Sequence, residues 1–283
     1  MRLNYYPGCS ASATAQEYDL STRAVFAELG YELDELEDWN CCGASSGHVT
    51  DRMLALALPT RNLAQAQATG NDLLTPCAAC YSRHKAADHA LRTADEKRVE
   101  LEEIVQFEYT GQVRVRPPLE VIATEVGMDA VAARVTNPLT GLKVVSYYGC
   151  LLVRPPEVVE FDSPDYPVVM DRLLVALGAD ARPWGYATDC CGGGLNLTRS
   201  QTAERLVSRL IRFAREAGAD ALVTACPLCQ MSLEMRQTDK EKMPTVYFTE
   251  LMGLAFGLQN SSKWWRKHLI DPRPWLKNNG VLA

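Results

Sequence analysis

Ten cysteines carry the chemistry of this chain: Cys9, Cys41, Cys42, Cys77, Cys80, Cys150, Cys190, Cys191, Cys226 and Cys229. They fall into two quintets of the same form: a lone Cys, a Cys-Cys-Gly, and a C-x2-C pair that follows after 34 intervening residues. Four of the five recur at an offset of 149 positions, and none is left over. Between the lone cysteine and the Cys-Cys pair lie 31 residues in the first quintet and 39 in the second. Thiolates in such numbers either form disulfides or hold soft metals. Their repetition marks an internal duplication of about 140 residues.

Three chemistries compete for five thiols per half. Disulfides suit an oxidising compartment, but the vicinal and C-x2-C pairs are spaced for shared ligation. Zinc closes on four thiolates and would leave one idle, so zinc in one half is the minority alternative. Iron–sulfur clusters also commonly take four thiolates, and a fifth implies an additional terminal or bridging ligand. Gly192-Gly193-Gly194 could suggest a phosphate loop, but no Gly-Lys-Ser/Thr follows.

The rest of the composition narrows the setting. With 29 basic against 35 acidic residues and a net charge of −6, the chain offers little to nucleic acid, which is bound by clustered Lys and Arg. The first residues, Met1-Arg2-Leu3-Asn4-Tyr5-Tyr6-Pro7, do not read as a secretory signal, so a cytoplasmic, reducing setting is expected. No apolar run reaches the length of a bilayer span, although contact with a membrane surface stays open.

Strands and helices must bring each quintet together. Lys143–Tyr148 and Ala221–Thr224 read as buried strands ending at cysteines, with weaker strands over Tyr31–Trp39 and Ala179–Ala187. Helices are expected from a capping box at Thr14-x-x-Glu17 to Gly30, from Ser163-Pro164 to Gly178, and from Thr198 to Ala217 before Gly218. The last should bury Leu206, Leu210, Phe213, Ala214 and Ala217. The alternation predicts an α/β protein of two pseudo-symmetric halves, each with a mainly parallel sheet and its cysteines at the carboxyl edge. A partly helical connector, Arg92–Leu139, divides residues 1–138 from residues 139–283, with the boundary near Pro138.

Other residues are weaker candidates. His48, six residues after Cys42, could protonate a departing thiolate, or it is a surface histidine. Arg83-His84-Lys85 could bind acidic groups or face water. Of Tyr5, Tyr6, Tyr147 and Tyr148, one at each site is expected in the core. Leu251–Leu258 followed by Trp264-Trp265-Arg266-Lys267-His268 reads as an amphipathic tail that docks onto a partner protein.

The duplicated pattern, with Tyr-Tyr-Gly-Cys at 147–150, Cys190-Cys191-Gly192 and Ala225-Cys226-Pro227-Leu228-Cys229-Gln230, closely resembles the B subunit of heterodisulfide reductase. The likeness extends over nearly the whole chain, including Gly141-Leu142-Lys143, Leu151-Leu152-Val153-Arg154-Pro155-Pro156 and His268-Leu269-Ile270-Asp271-Pro272. It implies two non-cubane 4Fe–4S clusters. Ligands at Cys9, Cys41, Cys42, Cys77 and Cys80 would hold one, and ligands at Cys150, Cys190, Cys191, Cys226 and Cys229 the other.

The family's reaction is cleavage of a disulfide, such as that joining coenzyme M to coenzyme B. Iron–sulfur centres move single electrons, so two facing centres would let each take one sulfur of the substrate. The resemblance further implies a ferredoxin-like C subunit and a flavin-containing A subunit as partners. Arginine makes up 21 of the 29 basic residues, a bias that tilts toward a bacterial sulfur-oxidation version acting on protein-bound lipoamide or sulfane sulfur. Proteins of the same Cys-Cys-Gly type also serve as anchor subunits of some succinate dehydrogenases, which supplies the alternative of an electron-transfer or membrane-associating subunit.

Overall fold

The computed structural model describes residues 1–259 and 261–282. Short strands ending just before the cysteines build two sheets. The first contains β1 (Arg2–Tyr5), β2 (Glu32–Glu35), β3 (Leu73–Leu74) and β4 (Val115–Arg116) in the order β2-β1-β3-β4. The second contains β5 (Lys143–Tyr147), β6 (Asp180–Ala181), β7 (Ala221–Thr224) and β8 (Thr245–Tyr247) in the order β6-β5-β7-β8. Every pairing is parallel. The duplication visible in the cysteines is therefore also a duplication of topology.

Burial explains which strands are clear in the sequence. Val144–Tyr147 and all of β7 are inaccessible, as expected of central parallel strands covered on both faces. β2, with sequence Glu-Leu-Asp-Glu, is a charged edge strand that ends at Glu35 and does not run on to Trp39. At the matching edge of the second sheet, the strand expected over Ala179–Ala187 contracts to Asp180–Ala181.

The sheets are flanked by α1 (Gln16–Glu28), α2 (Leu54–Thr69), α3 (Ala78–Thr93), α4 (Asp95–Val105), α5 (Val169–Ala176), α6 (Ser200–Glu216), α7 (Pro227–Met235) and α8 (Phe248–Ala255). Gly30, Gly178 and Gly218 lie just beyond α1, α5 and α6 with φ of +84°, +88° and +79°, the left-handed stops the sequence predicts.

The predicted helix starts need correction. α1 opens at Ala15 without a side-chain cap, because the Glu17 carboxyl is buried among other acids instead of turning back to Thr14. α5 begins at Val169, not at Pro164; Asp162 Oδ2 accepts from the amides of Val168 and Val169 at 2.9 and 2.8 Å. Ser163 instead closes a local turn onto the Tyr166 amide. α6 starts at Ser200 and buries Ala203, Val207, Leu210, Ile211 and Ala214. Leu206 and Phe213 are only half-buried at its margin, where Phe213 stacks on Tyr186 at 3.9 Å.

Two segments have more structure than their composition indicates. The connector after Arg92 supplies β4, the fourth strand of the first sheet. The apolar run Leu251–Leu258, expected to be a docking face, is largely internal: all of α8 is buried, and Trp264 and Trp265 are 2 % and 0 % exposed. The reason is that α8 packs against α1 of the other half. Tyr18 on α1 stacks flat on Tyr247 at 4.1 Å, Ser21 hydrogen-bonds Thr249 at 2.7 Å, and Lys267 reaches Gln16.

Candidate functional site: two facing cysteine quintets

Each half presents its cysteines in the loops that leave the carboxyl ends of its strands, the edge where parallel α/β sheets build ligand sites. In the first half these loops follow β1, β2 and β3; in the second they follow β5, β6 and β7. All ten cysteines are free. Cys42, Cys77, Cys80, Cys191, Cys226 and Cys229 are buried, whereas Cys9, Cys41 and Cys190 are exposed and Cys150 is intermediate. Each site thus has a buried floor and an open rim.

The sulfurs are close enough to act together. Cys42 and Cys80 Sγ lie 3.1 Å apart, well beyond the length of a disulfide bond. Cys41 and Cys80 hold the Cys42 thiol far below its ordinary range. In the other half, Cys150, opposed by burial and helped by the Gly192 amide, brings Cys190 down to about 6. Cys226 is lowered by Cys229, by Cys77 across the halves, and by the amides of Cys229 and Leu228. It holds the N-cap position of α7 as Cys77 holds that of α3, but only at Cys226 does the helix start favour the thiolate; Cys226 and burial raise the Cys77 thiol.

Glycine brings the backbone against the sulfurs at equivalent places. Gly8 and Gly149 have φ of +65° and +66°, and a Cβ on them would lie 3.3 Å from Cys80 Sγ and 2.9 Å from Cys229 Sγ. The amides of Gly43 and Gly192 point at Cys41 and Cys190 Sγ at 3.5 and 3.3 Å. Tyr6 and Tyr147 are also equivalent, each donating its hydroxyl to the carbonyl just before the Cys-Cys pair, Asn40 at 2.9 Å and Asp189 at 2.6 Å. Tyr5 and Tyr148 are buried too, so all four tyrosines are core residues with a hydrogen-bonded tip.

The outlying candidates fare differently. His48 is exposed on the short helix Gly47–Thr50, whose first amide closes onto the Gly43 carbonyl at 2.8 Å, so it stands beside the Cys-Cys-Gly loop. Arg83-His84-Lys85 is not a water-facing cationic cluster. His84 is fully buried, with Nδ1 at 2.8 Å from the Cys80 carbonyl and Nε2 at 3.1 Å from the Asn62 amide. Lys85 pairs across the halves with Glu160 at 3.2 Å.

Sequence reasoning named His84 as part of an exposed or anion-binding cationic run and missed its burial, and it also missed a buried group around His268. His268 bridges Glu234 at 3.0 Å and Glu250 at 2.9 Å. Burial opposes its charge, but the two carboxylates prevail and raise it to about 11. The signal available in the sequence was three acids on otherwise apolar faces: Glu17, Glu234 and Glu250.

Among the described residues, no three His, Cys, Asp or Glu side chains close on one point as ligands of a single ion would. A multi-iron group spreads its thiolates over several metal atoms. Five free thiols per half, lowered in several cases and approached by amide donors, fit that demand. When bound, such a group supplies single-electron transfer.

The cysteine-rich domain model, CCG, matches residues 3–83 and again residues 144–234. The chain is 32 % identical over 94 % of its length to the 8-methylmenaquinol:fumarate reductase membrane anchor subunit of Wolinella succinogenes, covering 96 % of that protein. It is 28 % identical over 90 % of its length to the B subunit of the ferredoxin/F(420)H(2)-dependent CoB-CoM heterodisulfide reductase of Methanosarcina acetivorans, covering 89 % of it. An Archaeoglobus profundus protein described as like the B subunit of heterodisulfide reductase is also 28 % identical, with 91 % of each chain covered. In fold alone, a hypothetical protein from Helicobacter pylori superposes with a TM-score of 0.73 at 14 % identity, over 93 % of this chain and 50 % of that one. With two matched repeats spanning more than half its length, the chain belongs to the cysteine-rich CCG domain family.

Proposed function

We propose that the chain is the iron–sulfur subunit of a heterodisulfide reductase-like complex, with one cluster per half and a disulfide as its substrate. The observation that carries this reading is the nearness of the two quintets: Cys77 of one half and Cys226 of the other, both buried, shift one another's thiols, and Tyr18 of the first half donates to the Ala225 carbonyl, next to Cys226, at 3.3 Å. Residues 1–138 and 139–283 would each provide one site. Cys9, Cys41, Cys42, Cys77 and Cys80 would hold one 4Fe–4S cluster, and Cys150, Cys190, Cys191, Cys226 and Cys229 the other, both non-cubane. The exposed rim cysteines mark the side from which a substrate enters.

The reaction class is balanced by two electrons and two protons: one S–S bond breaks and two thiols form, or the reverse. Electrons would come from partner proteins, one ferredoxin-like and one flavin-containing. His48 would donate a proton to a departing thiolate. The disulfide would be the coenzyme M–coenzyme B heterodisulfide, protein-bound lipoamide or a sulfane sulfur.

The test is anaerobic. The purified chain should hold about eight irons and no zinc, and one of the candidate disulfides should elicit a new paramagnetic signal. Cys191→Ser should lose one cluster and with it two-electron disulfide turnover; full turnover with one cluster sinks the proposal.

A second reading is favoured by the 32 % identity to a membrane anchor subunit, namely electron transfer within a succinate dehydrogenase-type complex. Indifference of both clusters to every disulfide would support it. No helix among the described residues is long and apolar enough to cross a membrane. Retention on carbonate-washed membranes would therefore point to surface or partner-mediated attachment.

A further inference from the structure

The two sites share a backbone frame but differ in what stands behind it. In the first half, Asn62 on α2 spans from the loop before Cys41 to α3. Its Oδ1 accepts from the Asn40 amide at 3.0 Å, and its Nδ2 donates both to the Asn40 carbonyl at 3.0 Å and to His84 Nε2 at 3.1 Å. His84 Nδ1 donates to the Cys80 carbonyl at 2.8 Å, and the His84 ring meets Tyr6 edge-on at 4.6 Å. Both side chains are fully buried. A continuous polar strut thus joins the residue before the Cys-Cys pair to the last cysteine of the quintet.

The 149-residue offset that relates the cysteines places Ile211 where Asn62 stands and Leu233 where His84 stands. Both are buried at 0 % exposure, so hydrocarbon fills the corresponding positions of the second half. Tyr147 still donates to the Asp189 carbonyl there, and the nearby polar contacts are different ones: Ser232 donates to the Cys191 carbonyl at 2.9 Å and meets Asn196 Oδ1 at 3.3 Å, which also accepts from Arg236 Nε at 3.3 Å. The bonding of His84 fixes one proton, on Nδ1, since Nε2 must accept from Asn62. His84 is therefore a neutral dipole, not a cation, beside the first site.

We infer that the Asn62–His84 strut makes the two cluster sites inequivalent, with His84 a positioning residue that raises the reduction potential of the first-half site above that of the second. Reduction adds negative charge, and hydrogen-bonded dipoles stabilise that charge better than the side chains of Ile211 and Leu233 do. The first-half site is accordingly the one that accepts an electron first. This inference rests on the two-cluster reading above.

The experiment compares the wild-type chain with Asn62→Ile/His84→Leu, which copies the second half's pair, and with the reciprocal Ile211→Asn/Leu233→His. Iron and sulfide are counted first, and an anaerobic redox titration is then followed by paramagnetic resonance. The wild type should titrate in two resolved steps. The first variant should shift the upper step down by about tenfold in its equilibrium constant, about 59 mV for one electron, and leave the lower step in place. The reciprocal variant should raise the lower step, which keeps the test decisive if the first variant fails to fold. His84→Gln, retaining a side-chain amide donor toward the Cys80 carbonyl, should restore much of the wild-type upper step. Coincident steps in the wild type, or unmoved steps in a fully loaded variant, overturn the inference. A wild-type chain that never holds two clusters overturns the functional reading instead.

Discussion

Cys77 and Cys226 lie near enough across the boundary between the halves for each to shift the other's thiol; each holds the N-cap position of the helix that follows it, and each is buried. Cys226 and burial raise the Cys77 thiol, while Cys229 and then Cys77 lower that of Cys226. A duplicated chain whose halves merely sat side by side would have no reason to bring a buried thiol of each half together.

Gly149 is the tightest of the backbone–sulfur approaches. Gly149→Ala should cost about 1–2 kcal/mol from the left-handed backbone and, because its Cβ would sit 2.9 Å from Cys229 Sγ, also displace that sulfur. Gly218→Ala carries similar strain at φ +79° with nothing within 4 Å of the added carbon. Iron content should fall only in the first variant; equal losses of iron in both would refute the cradle.

The buried His268 group makes stability depend on pH. His268 is raised to about 11 by Glu250 and Glu234 against the cost of burial, and burial raises Glu17 to about 7. Both hold a proton more firmly folded than unfolded, so both contributions fade as pH rises: Glu17 between about 4.5 and 7, His268 between about 6.5 and 11. Urea midpoints should therefore climb on acidification from pH 10 to pH 6. Glu17→Gln should add about 1–3 kcal/mol at pH 8, and His268→Gln should flatten the alkaline limb; a slope unchanged by the latter contradicts the assignment.

The seam between the halves depends on aromatic packing more than on its hydrogen bond. Tyr18→Phe removes only the 3.3 Å bond to the Ala225 carbonyl and should cost about 1 kcal/mol. Tyr18→Ala also removes the stack on Tyr247 and should cost about 3–5 kcal/mol. Calorimetry that finds the two variants equal would place the energy elsewhere.

Asp162, not Ser163, starts α5. Asp162→Ala should destabilise by about 1 kcal/mol, and Ser163→Ala by a few tenths at most, since its hydroxyl serves an exposed turn. The reverse order in thermal melts would restore the Ser163 start.

Much of the site was legible because thiols have few structural uses and their spacing repeats. The strands before Cys150 and Cys226 were equally plain, since β-branched runs buried on both faces admit little else. Glycine stops were reliable because a positive φ is a local demand. What failed were features decided by distant partners. Thr14 and Glu17 satisfy a local capping pattern, but tertiary burial of the carboxyl overrides it. His84 lies between Arg83 and Lys85 and looks solvated, yet its position four residues after Cys80 turns it inward to the Cys80 carbonyl. The run Leu251–Leu258 has the composition of a docking face, and its partner proves to be α1 of the same chain, more than 200 residues earlier.

That last packing has a consequence for biogenesis. Both quintets are synthesised before Trp264 and Trp265, whose segment packs against α1 and completes the seam together with the Lys267–Gln16 bond. Closure of the seam between the halves is therefore a late event of folding, complete only once the tail has been made and packs on α1.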